Sequence, residues 1–189
     1  MRKLIMWNVI TLDGYFEGSQ NWDLSFHNAV WGQELERLSL EQLNAADYLL
    51  FGRVTYEGMA AYWTQAETET AEGEVAKLMN SIPKLVISKT LKTAEWKNTT
   101  ILSGNASEEI LKLKAVEGKD IYVFGSAYLS ETFIKDNIFD EYRLCIAPVL
   151  LGAGRPLFKP GIDSRKFKLK SVQQLSTGGI VLKYLKMEE

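Results

Sequence analysis

Lys119-Asp-Ile-Tyr-Val-Phe-Gly-Ser-Ala-Tyr-Leu-Ser-Glu-Thr-Phe133 is the stretch from which the fold can be read. Ile121 to Phe124 is a short apolar run rich in β-formers, which suits a strand buried on both faces. Gly125 breaks the run. From Ala127 a helical spacing begins, with Leu129 and Phe133 at i and i+4 and Ile134 beside them. A strand that turns through Gly directly into a helix aims free backbone N–H groups beyond its own end. Those groups and the helix dipole suit an anion, typically a phosphate. The competing reading is an ordinary tight turn in which Gly only permits the geometry.

Working outward, the same strand-then-helix grammar recurs. Leu4 to Leu12 reads as a first central strand, closed by the turn at Asp13-Gly14. Trp31, Leu35, Leu38 and 42–46 carry helical spacing, and Tyr48 to Phe51 is a second buried strand closed by Gly52-Arg53. Thr55 reads as an N-cap. Tyr56, Met59, Ala60 and Trp63 follow at the positions of an amphipathic helix. The acidic run 64–73 reads as a loop or an exposed helix start, and Glu74 to Ser81 as helical. Lys84 to Ile87 and Thr99 to Leu102 are further strands; Ser107-Glu108-Glu109 opens a helix that Gly118 closes. After residue 138 the helices stop. Tyr142 to Ala147, Phe167 to Leu175 and Ile180 to Lys186 read as strands, the last two joined by a hairpin turn at 176–179. The expectation is one α/β domain over 1–189, with a mixed, mostly parallel sheet and antiparallel C-terminal strands.

Composition excludes several functions. The formal net charge is −2 with no basic run, which argues against nucleic acid and anionic membrane as partners. One cysteine and one histidine allow no internal disulfide and no zinc site of the Cys₂His₂ or Cys₄ kind, so no metal is expected. No stretch approaches the ~20 apolar residues of a membrane span, and the expected location is cytoplasmic.

In an open α/β sheet, ligands bind beyond the carboxyl ends of the strands. Here those ends carry Asp13-Gly14, Gly52-Arg53-Val54-Thr55, Ser88-Lys89-Thr90 and Gly125-Ser126. Arg53, Thr55 and Lys89 at neighbouring ends would make a phosphate-binding edge. Taken singly, Arg53 and Lys89 read equally as solvated charges. Asp13, Asp23 and His27 are the candidate acids, with Asp13 foremost because it ends a central strand; an Asp-Gly turn is its competing reading. The loop with Tyr15, Phe16, Trp22 and Phe26 either covers a flat ring or fills a dimer interface.

These segments resemble, in order, those of dihydrofolate reductases. Phe51-Gly-Arg-Val-Thr-Tyr56 is similar to their Gly-Arg-x-Thr element, Val86-Ile-Ser-Lys-Thr90 to the strand that meets the adenosine 2′-phosphate, and Val123-Phe-Gly-Ser-Ala-Tyr-Leu129 to the turn under the pyrophosphate. Thr11-Leu-Asp-Gly-Tyr15 and Ile146-Ala-Pro-Val-Leu-Leu-Gly-Ala-Gly-Arg-Pro-Leu-Phe158 resemble more closely the reductase (RibD C-terminal) domain of riboflavin biosynthesis and its small stand-alone relatives. The resemblance implies a dihydrofolate-reductase-like three-layer fold and a homodimer. It implies NADPH as cofactor, with hydride transfer to a small heterocyclic or carbonyl substrate. The implied cofactor residues are Gly52, Arg53, Thr55, Ser88, Lys89, Gly125, Ser126 and Ala127. Trp22 and Asp23 are implied for substrate and Asp13 for catalysis. Ser126 stands where dihydrofolate reductases have a second Gly, and their substrate helix has only a weak echo in Asn21-Trp-Asp-Leu24, which sets folate apart as a substrate. A non-catalytic NADPH-binding or ligand-sensing module of the same fold is the alternative.

Overall fold

The computed structural model describes residues 1–66 and 73–187. An eight-stranded sheet runs through its centre in the order β5-β4-β3-β6-β1-β7-β10-β9. The strands are β1 (Leu4–Thr11), β3 (Ala46–Gly52), β4 (Lys84–Ile87), β5 (Thr99–Leu102), β6 (Asp120–Phe124), β7 (Glu141–Ala147), β9 (Phe167–Gln174) and β10 (Ile180–Lys186). Strands β5 to β7 in that order pair parallel; β10 and β9 add antiparallel. A small ribbon pairs β2 (Tyr15–Glu17) with β8 (Arg155–Pro156).

The near-continuous apolar runs are explained by burial on both faces. Successive side chains of a strand point to opposite sides. Leu4, Leu50 and Ile121 pack with Ile110 of α4 (Ala106–Ala115) and Phe133 of α5 (Ala127–Lys135). Their chain neighbours Ile5, Leu49 and Tyr122 pack on the other side with Leu43 of α1 (Gln33–Asn44), Tyr56 of α2 (Arg53–Ala66) and Met79 of α3 (Gly73–Ser81). The result is three layers. Among the described residues no helix is long and apolar enough to cross a membrane.

Three local readings change. β1 ends at Thr11, and Leu12 turns outward, 62% exposed. α2 starts at Arg53 straight from β3, so Thr55 lies inside its first turn and is not an N-cap. The acidic run divides: α2 reaches Ala66, and 67–72 lie outside the described residues.

One feature of register positions the site. β6 pairs with β1 only from Leu4↔Ile121 to Trp7↔Phe124, while β1 stays paired to β7 as far as Thr11↔Ala147. From Asn8 onward β1 therefore has an open side, and a crevice forms where β6 turns away.

Candidate functional site

The turn that opens this crevice is built from two successive left-handed residues, Gly125 (φ 59°) and Ser126 (φ 57°). At Gly125 a Cβ would lie 3.2 Å from Thr55 Cγ2, and the positive φ already disfavours a side chain. Ser126 is buried and fully engaged. Its N–H donates to Thr55 Oγ1 (3.1 Å), its Oγ accepts from Gly52 N–H (3.0 Å), and its hydroxyl donates to Phe124 O (3.2 Å). The β3–α2 and β6–α5 turns are thereby stitched into one edge. The first backbone bond of α5 is Ser130 N–H to Ser126 O (2.8 Å), so Ala127, Tyr128 and Leu129 present N–H groups without an intrahelical acceptor. The anion-facing donors are these three, because that of Ser126 is already taken.

Around the crevice lies a cavity of about 510 Å³, within the range of small-molecule sites. Gly52, Arg53, Thr55, Gly125, Ser126 and Ala127 line it, and Trp22 faces them from the aromatic loop. Arg53 is tied to Glu57 at 2.9 Å in a half-exposed i,i+4 pair, worth little in stability. Ser88 and Lys89 are not on this wall. They follow β4, the neighbour of β3, on the same carboxyl edge, with Lys89 exposed and Ser88 Oγ accepting from Leu91 N–H (2.9 Å).

Asp13 is not on the wall either, contrary to its expected place beside substrate. Its carboxylate accepts from Thr11 Oγ1 (2.5 Å), Gly152 N–H (2.7 Å) and Leu151 N–H (3.1 Å), anchoring the 148–154 loop to the end of β1. The Thr11 hydrogen bond first, then that from Gly152, holds its pKa below the ordinary value, the wrong direction for a proton donor. Asp23 is likewise off the wall; its Oδ1 accepts from the Ser25 hydroxyl at 2.8 Å within a local turn.

The acid that does line the cavity is Glu17, a residue the sequence reading passed over. It is 7% exposed; Oε1 accepts from Trp22 N–H (2.6 Å) and Oε2 pairs with Arg155 Nη1 (3.1 Å). It thus holds the aromatic loop to the β2–β8 ribbon. Trp22 itself adopts φ 62° and lays its indole against α2 at Gly58, where a Cβ would fall 1.8 Å from a ring atom. Trp7, Trp31 and Trp63 also line the cavity, making four of the five tryptophans. Asn8, at the mouth of the crevice, is 4% exposed and its Nδ2 has no hydrogen-bond partner among the described residues. An orphan buried donor costs about 1–3 kcal/mol, which a ligand oxygen would relieve.

His27 lines the cavity as well, and burial pushes its pKa down to about 4. It is neutral at pH 7. The unfolded chain binds the proton more tightly, so His27 costs the fold nothing above pH 6.5 and destabilises it progressively as pH falls toward 4. The full effect is up to about 3 kcal/mol. We expect His27→Gln to flatten the stability profile between pH 6.5 and 4 in denaturant titrations. An unchanged slope would show that His27 keeps its proton equilibrium on folding.

The layers, the register and the carboxyl-edge cavity define a dihydrofolate-reductase-like α/β protein. The family model described as RibD C-terminal domain matches residues 2–181, and the chain belongs to that family. It is 32% identical over 183 residues to the uncharacterized protein YyaP of Bacillus subtilis (strain 168), covering 97% of this chain and 94% of that one. A putative riboflavin biosynthesis protein from Shewanella sp. PV-4 superposes with a TM-score of 0.78 at 20% identity, over 98% of this chain and 99% of that one. The diaminohydroxyphosphoribosylaminopyrimidine deaminase/5-amino-6-(5-phosphoribosylamino)uracil reductase of Thermotoga maritima superposes at 0.66 and 14% identity, over 98% of this chain and 57% of that one. The protein therefore has the fold of the riboflavin-pathway reductases and belongs to an oxidoreductase family.

Proposed function

We propose that this protein is an NADPH-dependent oxidoreductase that delivers a hydride to a small ring or carbonyl compound. The observation that carries the reading is the Gly125-Ser126 turn, which presents three acceptorless N–H groups at a crevice beside the orphan donor of Asn8. These features fit a dinucleotide. The N–H groups of Ala127, Tyr128 and Leu129 would receive the pyrophosphate, with Gly52, Arg53 and Thr55 completing the edge. Ser88 and Lys89 would meet a 2′-phosphate beyond β4. When bound, NADPH supplies a hydride from its dihydronicotinamide ring. The chain's own work is orientation and exclusion of water. Asn8 Nδ2 would donate to an amide or ring oxygen at the crevice. Trp22, seated on Gly58 and fastened by Glu17, would close the cavity from the loop side. Asp13 has no part in the proton step and serves the loop instead.

Nucleotide titration tests this, using the fluorescence of the reduced nicotinamide. NADPH should bind more tightly than NADH. Lys89→Glu should weaken NADPH by roughly tenfold or more, the ~1.5 kcal/mol or more of one charge-assisted hydrogen bond, and leave NADH nearly unchanged. Equal losses for both nucleotides would take Lys89 away from the 2′-phosphate. No binding of either to the native protein would end the reading.

A further inference from the structure

The cavity continues past the crevice into a compartment between the helices, and its chemistry differs from that of the anion edge. We propose that this compartment takes an uncharged, apolar, electron-poor ring of the quinone class as the hydride acceptor, and not a ribosyl phosphate. The proposal rests on the reductase reading above and names its substrate class.

The floor is Trp7 of β1, itself only 7% exposed. The walls are Leu35 and Leu43 from α1, Met59 and Trp63 from α2, and Val75 and Met79 from α3. The polar groups here are turned inward on their own helices. Trp63 Nε1–H donates to Met59 Sδ (3.3 Å), and the Ser39 hydroxyl donates to Leu35 O (2.9 Å). No charged residue of these three helices lines the compartment beyond Arg53 at the crevice end of α2.

A sugar phosphate needs cations. Among the described residues that line the whole cavity, the cations are Arg53, Arg155 and Lys159. Each is already neutralised: Arg53 by Glu57 (2.9 Å), Arg155 by Glu17 (3.1 Å) and Lys159 by Glu131 (2.9 Å), with Lys159 also over the Tyr128 ring. Segment 67–72, between α2 and α3, adds three Glu and no Lys or Arg to the sequence. A phosphate placed among the three helices would lose its hydration and gain no partner. A flat apolar ring would instead exchange water for indole faces and thioether sulfur, both of which favour electron-poor aromatic partners. It must also accept a hydride, and the quinone class joins all these properties. The step balances as NADPH + H⁺ + quinone giving NADP⁺ + hydroquinone. The C–H bond at C4 of the dihydronicotinamide breaks, its electron pair reduces the quinone, and a proton from water completes the second O–H.

Menadione and uridine 5′-monophosphate separate the two acceptor classes. Each is titrated against the protein without nucleotide, following tryptophan emission, while NADPH binding is measured on its own. Menadione should quench and bind at least about tenfold more tightly than uridine 5′-monophosphate, and should support NADPH oxidation. Met59→Glu, and the milder Met59→Gln should the first fail to fold, should weaken menadione by roughly tenfold while NADPH affinity stays within about twofold. Uridine 5′-monophosphate binding as tightly as menadione would overturn the proposal. So would menadione affinity untouched in a folded Met59 variant, or menadione that binds without being reduced. Loss of menadione binding with NADPH binding intact would sink the acceptor class and leave the reductase reading standing. Loss of both would sink the two together.

Discussion

Tyr128→Glu is expected to leave the ligand-free protein as stable as before, or slightly more so, and to weaken NADPH binding by roughly thirty-fold. Tyr128 is the second residue of α5 and 76% exposed, so no packing is lost. A carboxylate in the first turn of a helix is favourable by about 0.3–1 kcal/mol. Lys159, whose Nζ stands 3.4 Å from the centre of the Tyr128 ring, would keep a negative neighbour there. A pyrophosphate held by the N–H groups of 127–129 would face the new charge at perhaps one residue's reach. At ~7 Å and an effective dielectric of ~20 the repulsion is about 2 kcal/mol for each phosphate charge, which is the thirty-fold. The melting temperature and the NADPH titration thus move differently if the turn holds the cofactor. Unaltered NADPH affinity in the folded variant would remove α5 from the site. Ser126 is unsuited to the same experiment. It is buried with a positive φ and its hydroxyl joins Gly52 to Phe124, so a Glu there breaks the turn itself.

Gly58→Ala is expected to cut kcat/KM for the acceptor by about 10- to 100-fold without harming the fold. Gly in a helix interior costs about 0.5–1 kcal/mol relative to Ala, so α2 gains from the change. The new Cβ would fall 1.8 Å from one atom of the Trp22 indole and 2.0 Å from another, so the ring must leave its seat. Trp22 hangs from a loop and is 39% exposed, so it can move without unfolding anything. Displacing a cavity wall by an ångström or more costs on the order of a hundredfold in turnover. NADPH affinity should hold, because the Gly125-Ser126 turn is untouched. A red-shifted tryptophan emission should report the displaced ring, and NADPH oxidation with menadione the lost rate. Full activity with a shifted Trp22 would show that the indole does not enclose the acceptor.

Much of this architecture is local and therefore legible in the sequence. The strands at 4–11, 46–52, 84–87, 99–102 and 120–124 appear as apolar runs because each is covered on both faces. α5 and the C-terminal hairpin appear because spacing and turn residues act within a few positions. The family resemblance was legible for the same reason, in short motifs set in order. The site was legible only as a row of strand ends: Gly52, Arg53, Thr55, Gly125, Ser126 and Ala127 do meet, with Trp22 opposite. Tertiary structure decided what each of them does. Thr55 serves Ser126 across 71 residues, and Asp13 serves Leu151 across 138, so neither role is visible from its own neighbours. Glu17 looks like any polar residue of a short strand until Arg155 and the Trp22 backbone close on its carboxylate. The gathering of four tryptophans around one cavity is of the same kind. Periodicity tells a side chain which face of its own strand or helix it occupies, and only the packing of distant elements determines what that face meets.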